Sequence, residues 1–319
     1  MAYQLYGNEL SLFTRKLEAA LIFYGLSFES FPNTPEINKR AGTHQIPVLL
    51  TPENWALADT TPIMQMLDGR VPNRAMFPTG LNGLLVRVLE EYLDEWVARV
   101  MVHYRWHYPE CAEFAAIRIA NGNAEIAKEI ANWGPRACRA TGTESQNQQK
   151  AAEDEYLRLL EAADKQLKHS PYLLGEKPCA VDAMFMGGLR GHTYADPVPK
   201  KIVKQFRHIV EWIEGRADAW NGRGELSSFS QPTDFALQLL KEMPDTYQPF
   251  ILGNKKALEA GEKFFKTNIY HEDVSYLSRP YPEQSRLMVV AYIQNQLSDD
   301  EKIQGKSWLK KIGLLEAFT

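Results

Sequence analysis

The residues best suited to chemistry stand at two helix starts. Ser11 immediately precedes Leu12–Tyr24, where Phe13, Leu17, Ala20, Leu21 and Tyr24 recur at spacings of three and four, the period of an amphipathic helix. A hydroxyl there can stabilise an anion by a hydrogen bond reinforced by the helix dipole. It can equally be a simple N-cap. Tyr6, at the end of the short strand pattern Tyr3–Tyr6, is a competing hydroxyl; the alternative for it is a buried core tyrosine. Asp59 and Thr60 precede a second helix pattern, Thr61–Leu67, with Pro62 in its first turn. A carboxylate there can pair with an amine, and the helix-start N–H groups with Thr60 can bind a carboxylate. Capping is again the alternative.

What is missing also discriminates. Residues 11–14 are Ser, Leu, Phe and Thr, so no protein thiol stands at the first helix start to form a mixed disulfide. Cys111, Cys138 and Cys179 are odd in number and scattered, which reads as reduced thiols rather than a disulfide framework or zinc site. His103 and His107 share a helix face, but Tyr104 follows the first histidine where a zinc peptidase needs Glu, and no third ligand is evident. No metal site is expected.

Short elements must position these groups. Tyr3–Tyr6, Ser27–Phe31, Pro47–Leu50 and Trp55–Leu57 read as strands, and the helices Leu12–Tyr24 and Thr61–Leu67 separate them. Strand, helix, strand, then strand, strand, helix is the order of a thioredoxin-like α/β unit over residues 1–76. From Leu81 a stripe through Val88, Tyr92 and Trp96 to Met101 reads as one amphipathic helix of about five turns. Further stripes run through Tyr156–Leu167 and Ile202–Ile213, so residues 81–220 form an all-helical domain. The polar segment Gly134–Asn147 reads as a loop or partly ordered insertion. After the turn-rich connection near Gly222, residues 222–319 form an α+β extension. Phe265, Thr267 and Ile269 alternate before His271–Asp273, and Val274 and Tyr276 after it, as in a β-hairpin stopped by Pro280 and Pro282. Helices then cover roughly Glu283–Leu297 and Asp299–Phe318, and a stripe including Leu287, Val290, Ala291 and Tyr292 packs the extension onto the helical domain.

Over residues 1–220 the chain resembles the cytosolic glutathione transferases. Four segments carry the resemblance. Ser11-Leu12-Phe13-Thr14-Arg15-Lys16-Leu17 is similar to the serine-headed helix start of zeta-class enzymes, and Gln45-Ile46-Pro47-Val48 looks like the family's cis-proline turn. Leu57-Ala58-Asp59-Thr60-Thr61-Pro62-Ile63 is similar to the acidic-hydroxyl pair that holds the γ-glutamyl end of glutathione. Tyr172-Leu173-Leu174-Gly175 with Cys179-Ala180-Val181-Asp182 is similar to the capping segment of the second domain. Asp59-Thr60 stands where Glu-Ser is usual, and Cys179 where Ser or Thr is usual.

The resemblance implies glutathione as co-substrate, bound by Gln45, Ile46, Pro47, Asp59 and Thr60, with Ser11 as the catalytic hydroxyl. Lowering a thiol pKa by two units takes about 2.7 kcal/mol of preferential thiolate stabilisation. Lys39 and Arg40 could reach the glycine end, and Tyr104, Arg105 and Trp106 could line the electrophile pocket. The partner is then a small apolar electrophile and the assembly a homodimer. A non-catalytic binding or scaffolding protein of the same fold is the alternative, with the extension as its working surface. The extension could also cover the cleft or widen a dimer interface. Hydrophobic residues at 45% and charged residues at 24% suit a globular chain. A net charge of −4 disfavours nucleic-acid binding. The N-terminus shows no secretory pattern and no apolar run is long enough to span a bilayer, so a cytoplasmic location is expected.

Overall fold

The computed structural model describes residues 2–215 and 217–319. Its N-terminal part runs β1 (Tyr3–Gly7), α1 (Leu12–Tyr24), β2 (Phe28–Pro32), α2 (Pro35–Ala41), β3 (Val48–Leu50), β4 (Ala56–Ala58) and α3 (Thr60–Arg70). The strand order is β2-β1-β3-β4. β1 is parallel to β2 and antiparallel to β3, which places Leu5 between Ser30 and Leu49. A parallel pair needs a crossover, and α1 provides it. Tyr3 and Leu5 are buried, while Gln4 and Tyr6 lie on the other face of the strand. The short α2, seven residues or about two turns, is too brief to show a helical period in the sequence. Its start is local chemistry: Thr34 accepts from Ile37 N–H and Pro35 opens the first turn.

The helical part begins with α4 (Gly80–Glu91) and passes through a π-helical stretch, Tyr92–Val97, into α5 (Ala98–His107). The long helix is therefore one rod with a widened turn in its middle. α6 (Pro109–Ile119), α7 (Ala124–Ala131), α8 (Trp133–Ala140) and α9 (Gln146–Leu167) follow. The expected loop at 134–147 is instead α8, a tight turn and the start of α9. Its polar residues are the solvent side, and Gly134 and Cys138 are the buried side of α8. Next come α10 (Ala180–Gly188), a π-helical turn at Leu189–Thr193, α11 (Pro197–Val203) and α12 (Arg207–Glu214). The stripe read as one helix over 202–213 is thus broken after Val203. Asp164 of α9 explains the restart, accepting from the N–H groups of His208 and Ile209 at 2.8 and 3.3 Å.

α10 lies against α1 with the backbones nearly touching. A Cβ on Gly187 would sit 2.6 Å from Lys16 N, and one on Gly191 would sit 2.8 Å from Leu12 N. Only glycine permits this approach, and it holds the first turns of α1 in place. Asp182, at the third position of α10, accepts from the Leu173 and Cys179 N–H groups.

The extension contains α13 (Asp234–Glu242), α14 (Tyr247–Glu259), β5 (Phe264–Ile269), β6 (Glu272–Leu277), α15 (Pro280–Asn295) and α16 (Asp299–Lys311). α13 and α14 are two helices beyond those expected for the extension. The hairpin turns at Tyr270-His271, both with positive φ, one residue earlier than expected. The hairpin ends at Leu277, just before Pro280 and Pro282, and these prolines open α15, where a missing N–H costs nothing. α16 ends at Lys311 rather than Phe318. Of the expected stripe, Val290 and Tyr292 are buried, but Leu287 is 45% exposed. Arg286, Val289 and Ile293 complete the buried face. Tyr292 donates to Gly80 O at 2.9 Å, which ties α15 to α4. Among the described residues, no helix is long and apolar enough to cross a membrane.

Candidate active site

A cavity of about 440 Å³ opens where the N-terminal unit meets the long helix and the extension, within the size range of small-molecule sites. One wall is the N-terminal unit: Phe13 of α1, Gln45, Ile46 and Pro47 of the loop before β3, and Asp59 and Thr60 at the start of α3. The Ile46–Pro47 bond is cis. The cavity therefore gathers the five residues expected to hold glutathione.

Ser11 is the N-cap of α1 and its hydroxyl accepts from Thr14 N–H at 3.3 Å. No acceptor among the described residues takes the Ser11 proton, so it is free to be donated to a ligand. Ser11 itself does not line the cavity; Phe13, two residues on, does. Tyr6 is not a core tyrosine. It is half-buried, stacks on Phe31 at 5.2 Å and donates to Gln4 Oε1 at 2.9 Å.

Asp59 holds φ 72°, a left-handed conformation that is costly for a residue with a Cβ and recurs at ligand clamps. Its side chain closes no capping hydrogen bond of full geometry. Burial pushes its carboxyl above the usual range, and the Lys16 charge and Thr61 N–H offset part of that. Thr61 and Lys16 belong to a buried network beneath the cavity. Lys16 Nζ donates to Asp94 Oδ2 at 2.6 Å, Glu90 Oε1 at 2.5 Å and Thr61 Oγ1 at 3.0 Å. Burial works against the Lys16 charge, but Asp94 and Glu90 more than offset it, and its pKa is raised.

The opposite wall was not foreseen. It comes from Asp94, Glu95, Ala98, Arg99 and Val102 of the long helix, and from Arg279, Pro280, Tyr281 and Ser285 of the extension. Asp94, Glu95, Ala98, Arg99 and Val102 stand at i, i+1, i+4, i+5 and i+8, one face of the long helix. The π-helical turn at 92–97 widens the face there, a distortion frequent at functional sites. The available sequence signal was the run of two acidic pairs, Glu90-Glu91 and Asp94-Glu95, within a helix that is largely apolar. Burial first, and then the Asp94 charge, push the Glu95 carboxyl up to about 8, against the pull of Arg279.

Tyr104, Arg105 and Trp106, expected at the electrophile pocket, lie elsewhere. They are one turn too far along the helix. Tyr104 is buried in the core, stacked on Tyr108 and edge-on to Tyr156. Trp106 packs against the satellite cluster of Ala116, Ala120, Ala127 and Ile130. Arg105 is buried and forks onto Asp196 at 2.8 and 2.9 Å, while also donating to Leu10 O at 2.6 Å. It therefore clamps the loop that delivers Ser11. Arg40 donates to Asn54 at 2.8 and 3.0 Å, and Lys39 lines a separate shallow depression with Gly42, Thr43 and His44. His103 bonds Glu153 at 2.7 Å, and no cluster of three metal-ligating side chains occurs among the described residues.

Comparison with known proteins agrees with this architecture. Residues 5–75 match the family model for the glutathione S-transferase N-terminal domain, and residues 122–216 that for the C-terminal domain. No curated protein matches the chain. Among solved structures, the beta-etherase LigF from Sphingobium sp. strain SYK-6 is 17% identical with a TM-score of 0.50, covering 70% of this chain and 97% of its own. A glutathione S-transferase from Rhodospirillum rubrum F11 is 18% identical with a TM-score of 0.48, covering 74% of this chain and 99% of its own. Gtt2 from Saccharomyces cerevisiae is 15% identical with a TM-score of 0.45, covering 68% and 98%. These neighbours are matched nearly end to end, while part of this chain is left over. The two domain matches together take in more than half of the sequence, and the chain belongs to the cytosolic glutathione transferase superfamily.

Proposed function

We propose that the protein is a glutathione transferase acting on a small apolar electrophile. Residues 1–76 are the glutathione-binding unit, 81–220 the helical domain and 222–319 an extension that helps enclose the substrates. Gln45, Ile46 and Pro47 present polar backbone and side-chain groups to the extended peptide, and Asp59 and Thr60 receive its γ-glutamyl end. The Ser11 hydroxyl donates a hydrogen bond to the thiolate at the positive end of α1, which lowers the thiol pKa toward neutrality, the thiol proton leaving to solvent. The thiolate then attacks the electrophile, held against Phe13, Ala98 and Val102. The enzyme works in the cytoplasm as a homodimer. The observation that carries the reading is the single cavity shared by the cis-proline loop, the α3 start and the first turn of α1.

Glutathione titration by calorimetry tests it. Binding in the micromolar-to-millimolar range supports the enzyme. Absence of binding up to several millimolar favours a scaffold of the same fold. Light scattering on the purified chain tests the dimer.

A further inference from the structure

The extension brings a cation and an acid to the end of the cavity that also holds Asp59 and Thr60. Arg279 stands just before α15, and its backbone is pinned by two hydrogen bonds with Asn254, at 2.8 and 3.0 Å. Its guanidinium has little to do within the protein. Nε is buried without a hydrogen-bond partner among the described residues. Nη2 lies 4.0 Å from Glu95 Oε2, beyond hydrogen-bond reach, and the side chain is one-third exposed on the cavity wall.

Glu95 is the counterpart on the facing wall. Its three acidic neighbours on the same helix are all engaged. Glu90 and Asp94 hold Lys16, and Glu91 accepts from Tyr247 at 2.7 Å and from Ser285. Glu95 makes no hydrogen bond among the described residues and lines the cavity. The charges of Asp94 and Asp59 both act on it, which places it toward the α3 side.

An unsatisfied guanidinium and an unsatisfied carboxyl, close but not bonded, suit a ligand that carries both opposite charges. An α-amino-acid group is such a ligand, with its ammonium and carboxylate on one carbon. We propose that Arg279 and Glu95 form a zwitterion clamp on the γ-glutamyl end of glutathione, Arg279 taking the α-carboxylate and Glu95 the α-ammonium. The clamp rests on the glutathione reading above. It adds a binding residue from the extension to a site otherwise built by the N-terminal unit. Arg–carboxylate bonds are among the stronger hydrogen bonds, and the interaction persists from ground state to transition state, so it acts on affinity. The raised Glu95 carboxyl adds a signature: meeting an ammonium, it gives up a proton to the buffer.

The test uses the full chain, calorimetry and three thiol peptides: glutathione, glutaryl-Cys-Gly, which lacks the α-ammonium, and 4-aminobutyryl-Cys-Gly, which lacks the α-carboxylate. Arg279→Met is expected to weaken glutathione and glutaryl-Cys-Gly at least tenfold and to leave 4-aminobutyryl-Cys-Gly within twofold. Glu95→Gln is expected to show the reverse selectivity and to abolish proton release measured across buffers of different ionisation enthalpy. Arg279→Lys, which keeps the charge, recovers part of the affinity and guards against a folding defect. Equal weakening of all three peptides, or of none, overturns the clamp while leaving the glutathione reading intact. Failure of the unaltered protein to bind glutathione overturns that reading, and the clamp with it.

Discussion

The two walls of the cavity are built in opposite ways. The N-terminal wall uses backbone and helix starts: a cis-proline loop, the first turn of α1 behind its N-cap Ser11, and Asp59 held at φ 72°. Its chemistry comes from local conformation within a few residues. The facing wall uses side chains from the long helix and the extension, with Glu95 and Arg279 separated by 184 positions in sequence. Its chemistry exists only through tertiary packing. On the proposed reading the first wall cradles the peptide, and the second adds groups from outside the two matched domains. The contrast separates thiol activation, assigned to the first wall, from enclosure and charge selection, assigned to the second.

Removing one wall breaks the contrast most directly. A chain truncated after Ala219 loses α13–α16 and uncovers α4, α9 and the buried Glu155. That carboxylate receives hydrogen bonds from Tyr92 at 3.2 Å, Trp96 at 2.9 Å, Arg99 at 2.5 Å and Tyr270 of the extension at 2.6 Å. The fragment is expected to aggregate, because a continuous apolar face becomes exposed. A soluble, monodisperse fragment with full activity would show that the extension's share of the second wall is dispensable.

Breaking the support of the first wall comes next. Arg105→Met strands the buried Asp196 carboxylate and frees Leu10 O. A loss of about 3–5 kcal/mol is expected, as for other buried pairs with one partner removed. Denaturant titration reads it, and a midpoint unchanged from the parent protein would refute the clamp on the Ser11 loop.

Ser11→Ala sharpens the comparison from within the first wall. Turnover should fall at least tenfold, about 1.4 kcal/mol of transition-state stabilisation. The pKa of bound glutathione, followed by thiolate absorbance, should rise. If it does not, Ser11 is only a cap. Asp59→Asn should raise KM for glutathione more than it lowers kcat, since the amine is held alike in ground and transition states. Equal losses in kcat and kcat/KM would contradict that role.

The smallest effect concerns pH. Glu95 is raised from 4.5 to about 8 on folding, so the folded state holds a proton there that the unfolded chain has lost. Its contribution to stability is full below pH 4.5 and fades as pH rises to about 8. Glu95→Gln should flatten the decline across that window, as read by melting temperature. An unchanged pH profile would mean that the carboxyl is already ionised near neutrality.

Legibility followed the same division. The first wall could be read because each group is announced by its neighbours: Ser11 before a periodic helix, Gln45-Ile46-Pro47 at a strand start, Asp59-Thr60 before Pro62. The second wall could not, because nothing near Arg279 says that it faces residue 95. Tyr104, Arg105 and Trp106 were expected at the pocket because the resemblance sets this helix beside the cleft, but the helix lines the cavity only as far as Val102. α8 was hidden by its polar solvent side, and α13 and α14 by the turn-rich run before them.

The glycine contact between α1 and α10 sets the timetable of synthesis. α1 is complete at Tyr24, but the surface that covers it, with Gly187 and Gly191 against its first turns, emerges more than 150 residues later. At usual translation rates that is roughly ten to thirty seconds. Throughout that interval the face of α1 that meets α10 is uncovered, and the Ser11 turn lacks Gly191 to hold it. Ser11 therefore acquires its final position only once more than half of the polypeptide has been made, and ribosome-bound chains shorter than about 190 residues should be open to chaperones and proteases at α1.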